Sequence, residues 1–500
     1  MIKRFGQYGA HRVLESIPGL LVWGTFFAAV LAAFFAPVAA IIFIIIFDIY
    51  WLLRVVYFVI HLLVAFRTYR AVQVVDWYAK LQEIPRWERI YHVVMLPTYQ
   101  EELSILRHAL TSIAEGPYEK SRMFVFLGGE EDDREDFLQH REVLLREFGT
   151  MFGALEFTVH PSGVVGEIPG KGSNLHFMAG EVKKIIDARA IPYDDVVVSA
   201  FDIDTVAHTQ YFPRLAYLFL TVPNPTRSAY QPVTLFSNNI WNATAPVRIA
   251  SFGTTFWLLS ELVRPERLWT FSSHSMSWRM LIDVGYWEPD LVSEDSRIFL
   301  QGLMRYDGDY RVTPMFLPVS MDTVTGATYW ESLVALYKQQ RRWAWGVEHF
   351  AYMITKFKEH PAIPIHTKIK YVFNHMEGMY TWATAPVLIF VLGYLPFFTV
   401  GQAQNAFITN SPFTLQWIMR IATLGVLVTG MMSFIFLPPR PKKMGWYTWI
   451  VHIAQWVLLP ITSIAFSALP AIDAQTRFIF GKYLGFNVTK KHAASRDYSG

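Results

Sequence analysis

The sequence predicts an α/β domain inserted between N- and C-terminal transmembrane helices. Three observations predict it. Only 17% of the 500 residues are charged while 53% are hydrophobic and 16% aromatic, against about 25% charged residues in ordinary soluble domains. Long uncharged tracts lie at both ends of the chain. Between them, short apolar runs alternate with helical patterns.

The first tract has no charge from Ile17 to Phe47. Ile17–Ala36 is long enough to cross a hydrocarbon core of about 30 Å. Pro37 marks a turn, and a second apolar run follows to about Phe66. The length of the first run and the span directly behind it argue against a cleaved leader, despite the APVAA segment. Asp48 and Arg54 fall inside the second run, where charge is costly in lipid, so both should face protein or a polar cavity. Near the C-terminus, uncharged stretches place spans near 376–400, 415–437 and 447–468. Lys3, Arg4, Arg12, Arg67 and Arg70 mark the inner side and assign the intervening block to the cytoplasm of a multi-pass cell-membrane protein. The same rule puts PPRPKK inside. The basic tail with Lys482, Lys490, Lys491 and Arg496 then conflicts with a single last crossing, unless a further short or re-entrant segment lies near 455–480.

In the middle block, RIYHVVMLP, SRMFVFLGG and DDVVVSA read as buried strands, with helical patterns from Leu103 to Ile113 and in SNLHFMAGEVKKII. Such alternation predicts a mainly parallel sheet with crossover helices. Ligands bind such sheets at the carboxyl ends of the strands, where PTYQEE, GGEEDD and DID fall here. The net charge of +3 leaves no concentrated basic face for a nucleic acid. With no cysteine in the chain, disulfides, thiolate-bound zinc and thiol catalysis are excluded.

Four polar motifs stand out. Asp202 and Asp204 in FDID, two apart at a strand end, suit a hard divalent ion, Mg²⁺ or Mn²⁺, with positions left for phosphates; they equally suit a polar turn. Glu294 and Asp295 open an amphipathic helix behind Ser293, as a general base or as acids favoured by a capped helix start. Lys171, between glycines in PGKGSN, can reach a phosphate, though the P-loop spacing is missing. KQQRRWAWG gathers Arg341 and Arg342, suited to pyrophosphate, with tryptophans suited to a sugar face or to a membrane interface.

In chain order PTYQE, KGSN, DID, SED and QQRRW followed by membrane spans resemble the membrane-integrated family 2 glycosyltransferases, the group of the cellulose, hyaluronan and chitin synthases. The resemblance covers nearly the whole chain and is carried chiefly by the ED pair followed by Q-x-x-R-W. It implies a GT-A-type, Rossmann-like cytoplasmic domain over 71–328, after a membrane region at 1–70. Interfacial helices over 329–370, a transmembrane bundle over 371–485 and a polar tail at 486–500 would follow. It implies roles as well. Thr98 and Glu101 line the nucleoside pocket of a nucleotide-sugar donor, and Asp202 and Asp204 hold the metal. Asp295 is the base, with Glu294 shaping its site. Lys171 with Arg342 offsets the leaving diphosphate, and Gln339, Arg342 and Trp343 close over it. One of Glu130, Glu131, Asp132 and Asp133 contacts the base of the nucleotide. His274, Gln231 and Asn238 lie where they line the site or serve the fold.

The function implied is an inverting hexosyltransferase that extends a polysaccharide at the membrane. Transfer of one sugar to a lipid or lipid-linked acceptor is the alternative, and an inert membrane scaffold is the rival from another class.

Overall fold

The computed structural model describes residues 2–399, 406–442 and 444–484; the expected polar tail lies outside them. Helix α1 (Ile2–Phe35) turns at Ala36 into α2 (Pro37–Gln73). At 1.5 Å per residue, α2 is about 55 Å long, well beyond the bilayer core. Its inner end therefore leaves the membrane and enters the domain.

There the chain builds one eight-stranded sheet. Its strands are β1 (Tyr91–Pro97), β2 (Met123–Glu130), β3 (Ala154–His160), β4 (Val196–Ala200), β5 (Val206–Ala207), β6 (Ser228–Phe236), β7 (His274–Ser277) and β8 (Arg311–Met321). The spatial order is β3-β2-β1-β4-β7-β6-β8-β5. The first four run parallel, as the apolar runs predict. The expectation of a mainly parallel sheet fails beyond β4: β7 is antiparallel to both β4 and β6, β6 and β8 are parallel, and β5 is antiparallel to β8. The sheet is mixed because β7 runs opposite to both of its neighbours.

Both faces are covered. Alternation along β1 sends Val93 and Met95 to one core, with Leu175, Met178 and Val182 of the helix Lys171–Ala188. Val94 and Leu96 go to the other, with Leu106 and Leu110 of the helix Leu103–Glu115. Leu62, Ala65 and Tyr69 of α2 are buried in the first core. The helix Ala245–Glu261 adds Phe252 and Phe256 to the same core.

Among the described residues four helices are long and apolar enough to cross a membrane, or five if Ile365–Phe390 and Leu392–Thr399, bent by 44°, make one span. The span expected near 376–400 is thus the end of a longer, bent element. At the far end of the bundle Thr399 donates to the Ala33 carbonyl. The helix Ala406–Ile435 returns to the sheet side, where Phe436 packs on Phe66 and Tyr69 and Trp241 Nε1 donates to Pro438 O.

The last apolar segment, Tyr447–Ile479, differs from the expected crossing at 447–468. It starts against the domain, with Trp449 and His452 on Trp241 and Gln455 on Arg248. It also ends beside the domain, with Asp473 on Arg341, Phe478 on Trp345, and Arg12 donating to Phe478 O. Both ends therefore lie against the domain. Ile450, Ile453, Val457 and Ile461 form an exposed apolar stripe at helical spacing. The opposite face brings Thr462, Ser463 and Ser467 to a cavity.

Candidate active site

That cavity, of about 1170 Å³, runs from the carboxyl ends of β1, β2 and β4 to the membrane helices. It is larger than the 300–1,000 Å³ or so of a typical small-molecule site. Thr98, Glu101, Lys171, Asp202, Asp204, Glu294, Asp295, Gln339, Arg342 and Trp343 all line it. Residues up to 245 positions apart in the chain, Thr98 and Trp343, thus meet in one space.

The loop after β1 extends the ladder by one bond, Thr98 N to Gly128 O (2.8 Å). It then turns at Gln100, which has a left-handed φ of 53° and whose N–H donates to Asp133 Oδ2 (2.7 Å). Asp133 thus ties two loops together, while Glu130, Glu131 and Asp132 line the cavity. Glu130 accepts from Asn174 Nδ2 (2.8 Å) and lies 2.8 Å from His160 Nδ1, whose Nε2 is 2.9 Å from Glu167. Burial raises the Glu130 carboxyl above the usual range, against the pull of His160 and Asn174. Sequence reading missed His160 and Glu167, which sit on β3 and in the loop behind it.

Lys171 is the first residue of its helix, two residues before Ser173, where the helical pattern SNLHFMAGEVKKII begins. Its ammonium lies 2.8 Å from Asp202 Oδ1, 2.8 Å from Asp295 Oδ1 and 3.8 Å from Glu294 Oε1. Burial alone would lower this ammonium; Asp202, Asp295 and Glu294 outweigh that and hold it above its usual value. Glu294 shifts upward too, chiefly by burial and then by the Asp295 charge, against Lys171 and Arg342. The approach is close: a Cβ on Gly172 would lie 3.2 Å from Glu294 Cβ.

Asp202 and Asp204 lie beyond the strand end, in a turn. A turn closed by Thr205 N to Asp202 O (2.9 Å) carries them, because β4 ends at Ala200. Ser272 Oγ donates to Asp202 Oδ2 (2.9 Å), and Asp204 Oδ2 accepts the Asp322 N–H (2.9 Å). Asp322, at the end of β8, was not foreseen. Asn238 does not line the cavity; its Nδ2 donates to Asp204 O (3.1 Å) and steadies this turn. Gln231 is likewise behind the site, clamping the N–H and carbonyl of Phe271 at 2.8 and 2.9 Å. That clamp holds the loop from which Thr270 Oγ1 donates to Asp295 O (2.5 Å).

Ser293 does not cap the helix Glu294–Arg305 with its side chain; its hydroxyl donates to Glu348 instead. His274 is buried 4.0 Å from Asp295, with burial lowering its pKa. In the helix Tyr329–Ala344, Gln339, Arg342 and Trp343 face the cavity. Trp343 packs beside Phe236 and Phe271. Arg341, expected to share the pyrophosphate, turns away to Asp473 (2.8 Å), since neighbours on a helix point about 100° apart.

Asp202 and Asp204 supply hard oxygen donors, which fit Mg²⁺ or Mn²⁺. Among the described residues no group of three His, Cys, Asp or Glu side chains forms a metal cage.

No protein-family model matches the chain, and no curated protein sequence does. Solved structures show partial likeness. The mannosyltransferase PcManGT from Pyrobaculum calidifontis, in complex with GDP-Man and Mn²⁺, aligns over 81% of this chain and 99% of its own. The TM-score is 0.42 and the identity 16%. S. aureus TarS 1–349 in complex with UDP aligns over 80% of this chain and 94% of its own, with a TM-score of 0.37 and 10% identity. At these scores the likeness carries no functional argument, and the reading below rests on the site.

Proposed function

We propose that this chain is an inverting membrane glycosyltransferase that moves a sugar from a nucleotide-sugar to an acceptor presented at the cytoplasmic face. One observation carries the reading. A single cavity open toward the membrane helices gathers the Lys171-linked carboxylates Asp202, Glu294 and Asp295 with Arg342 and Trp343.

Asp295 takes the proton of the acceptor hydroxyl as its oxygen bonds to the anomeric carbon and the bond to the diphosphate breaks. One base and direct displacement give inversion. Lys171 and Arg342 offset the charge that gathers on the departing nucleoside diphosphate. Asp202 and Asp204 would hold Mg²⁺ or Mn²⁺, which supplies further charge neutralisation at the phosphates. Thr98, Glu101 and Glu130 face the nucleoside end, and Gln339 and Trp343 the acceptor end. The cavity volume leaves room for donor and acceptor together. An inert scaffold has no use for the base and the metal carboxylates, all of which face the cavity.

The acceptor is a growing polysaccharide in the reading closest to Q-x-x-R-W; the cationic membrane end of the cavity favours a second, lipid-linked acceptor. The test is donor turnover by the purified protein with Mn²⁺ or Mg²⁺ across a panel of nucleotide-sugars. Release of nucleoside diphosphate from one donor, lost in Asp295→Asn and Asp202→Ala, is expected. No turnover with any donor and membrane lipid extract would refute the enzyme. Product length separates polymer from single-sugar transfer.

A further inference from the structure

The cavity continues past the carboxylates to a membrane end walled by α2, the helix Ala245–Glu261 and the loop behind it, and there its charge reverses. Arg54, Arg264 and Arg267 all line this end. Glu261 serves two of them, pairing with Arg264 and lying 3.1 Å from Arg267 Nε, while Arg54 pairs with Glu377 at 2.6 Å. Arg264 is 8% exposed, and its Nε has no hydrogen-bond partner among the described residues. A buried N–H left without an acceptor is costly, so this one points to a ligand oxygen. Guanidinium groups suit phosphate because their planar fork binds two oxygens at once.

The surroundings are amphiphilic. Trp51, Phe58 and Trp257 line the same end, and Leu53, Val56 and Ile60 form an exposed apolar face on α2. The link to the chemistry is short. Three residues after Arg267, Thr270 touches Asp295, and Ser272 touches Asp202. A phosphate is drawn to the arginines and repelled by the carboxylates, so an elongated acceptor has one favoured direction.

We propose that Arg54, Arg264 and Arg267 hold the phosphate of a lipid-linked acceptor, whose apolar chain leaves along α2 and whose sugar hydroxyl reaches Asp295. This rests on the glycosyltransferase reading and names its acceptor class. The acceptor hydroxyl bonds to the donor's anomeric carbon as the carbon–oxygen bond to the diphosphate breaks. The proton goes to Asp295, and the nucleoside diphosphate leaves with the bonding pair.

The experiment measures binding rather than turnover. Full-length protein in non-ionic detergent is titrated with a fluorescent long-chain alkyl phosphate and with the matching alkyl alcohol; inorganic phosphate serves as competitor. The alkyl phosphate is expected to bind at least about tenfold tighter than the alcohol, and Arg267→Gln or Arg54→Gln to weaken it about tenfold. Arg54→Lys, which keeps the pair with Glu377, should retain most of the binding, and thermal unfolding confirms that each variant is folded. Equal binding of phosphate and alcohol, or unchanged binding in both glutamine variants, overturns the proposal. Displacement by inorganic phosphate at the affinity of the alkyl phosphate would assign a free-phosphate site and overturn the lipid assignment. Alkyl-phosphate binding without turnover of any nucleotide-sugar would sink the enzyme reading and leave the anion site standing.

Discussion

Lys171 binds three carboxylates at once, and its loss would leave them facing one another in a closed space. Lys171→Met should lower donor turnover by about a hundredfold or more, the scale on which single charge-stabilising groups act. It should also tighten Mn²⁺ binding to the donor-free protein, because the ammonium no longer competes for Asp202; titration calorimetry reads this directly. Weaker Mn²⁺ binding in the variant would show that Lys171 shapes the cation site rather than competing for it. A second residue-scale prediction concerns His92, buried on β1 between the rings of Tyr118 (4.5 Å) and Phe212 (5.2 Å). Burial lowers its pKa from 6.5 to about 3. The unfolded chain therefore binds this proton and the folded chain does not, so stability falls as pH drops from 6.5 toward 3. His92→Leu should flatten that slope by up to about 1.4 kcal/mol per pH unit, measured as unfolding in detergent at pH 7 and pH 5. An unchanged slope would refute this.

At the scale of elements, the contact between β2 and the helix Lys171–Ala188 admits no side chain on the strand. A Cβ on Gly128 would lie 2.3 Å from Asn174 Oδ1 and 2.4 Å from Met178 Sδ. Gly128→Ala should cost about 1–3 kcal/mol and move Asn174 off Glu130, so its donor affinity should fall along with its melting temperature. The elements legible in the sequence were those with a single strong signal. β1, β2 and β4 are continuous apolar runs, and Leu103–Glu115 and Lys171–Ala188 carry helical periodicity. The other half of the sheet hides its strands. β7 is the polar tetrapeptide His274–Ser277. β6 contains Pro232 and β8 contains Pro314 and Pro318, residues that argue against a central strand; the register between β6 and β8 shifts between Gln231, opposite Pro314, and Val233, opposite Pro318. Gln231, beside that irregularity, clamps Phe271 in the loop behind Asp295. The candidate residues were legible because ordered motifs mark strand ends. His160 and Asp322 were not, since each acquires its place through contacts with distant segments; Arg264 and Arg267 pair locally with Glu261 and belong to no short pattern.

For the whole molecule, the arrangement of membrane segments makes a test possible that the absence of cysteine keeps clean. Single cysteines at Thr448 and Lys482 should both react with a membrane-impermeant maleimide from the side that labels Glu142→Cys in the domain, and not from the other. Labelling of the two ends from opposite sides would refute the returning path of Tyr447–Ile479. The segment's role follows from its two faces, one apolar and exposed, the other carrying Thr462, Ser463 and Ser467 into the cavity. It separates an exposed apolar surface from the cavity.

Leu62, Ala65 and Tyr69 of α2 share one hydrophobic core with β1 and β4. The protein therefore has no detachable head. Cutting the chain at residue 71 would remove a piece of the domain's own interior, and stopping before Tyr329 would remove the wall that carries Arg342 and Trp343. Solubility cannot be gained by truncation without opening either the core or the reaction space. Purification has to bring the bilayer, or a substitute for it, along.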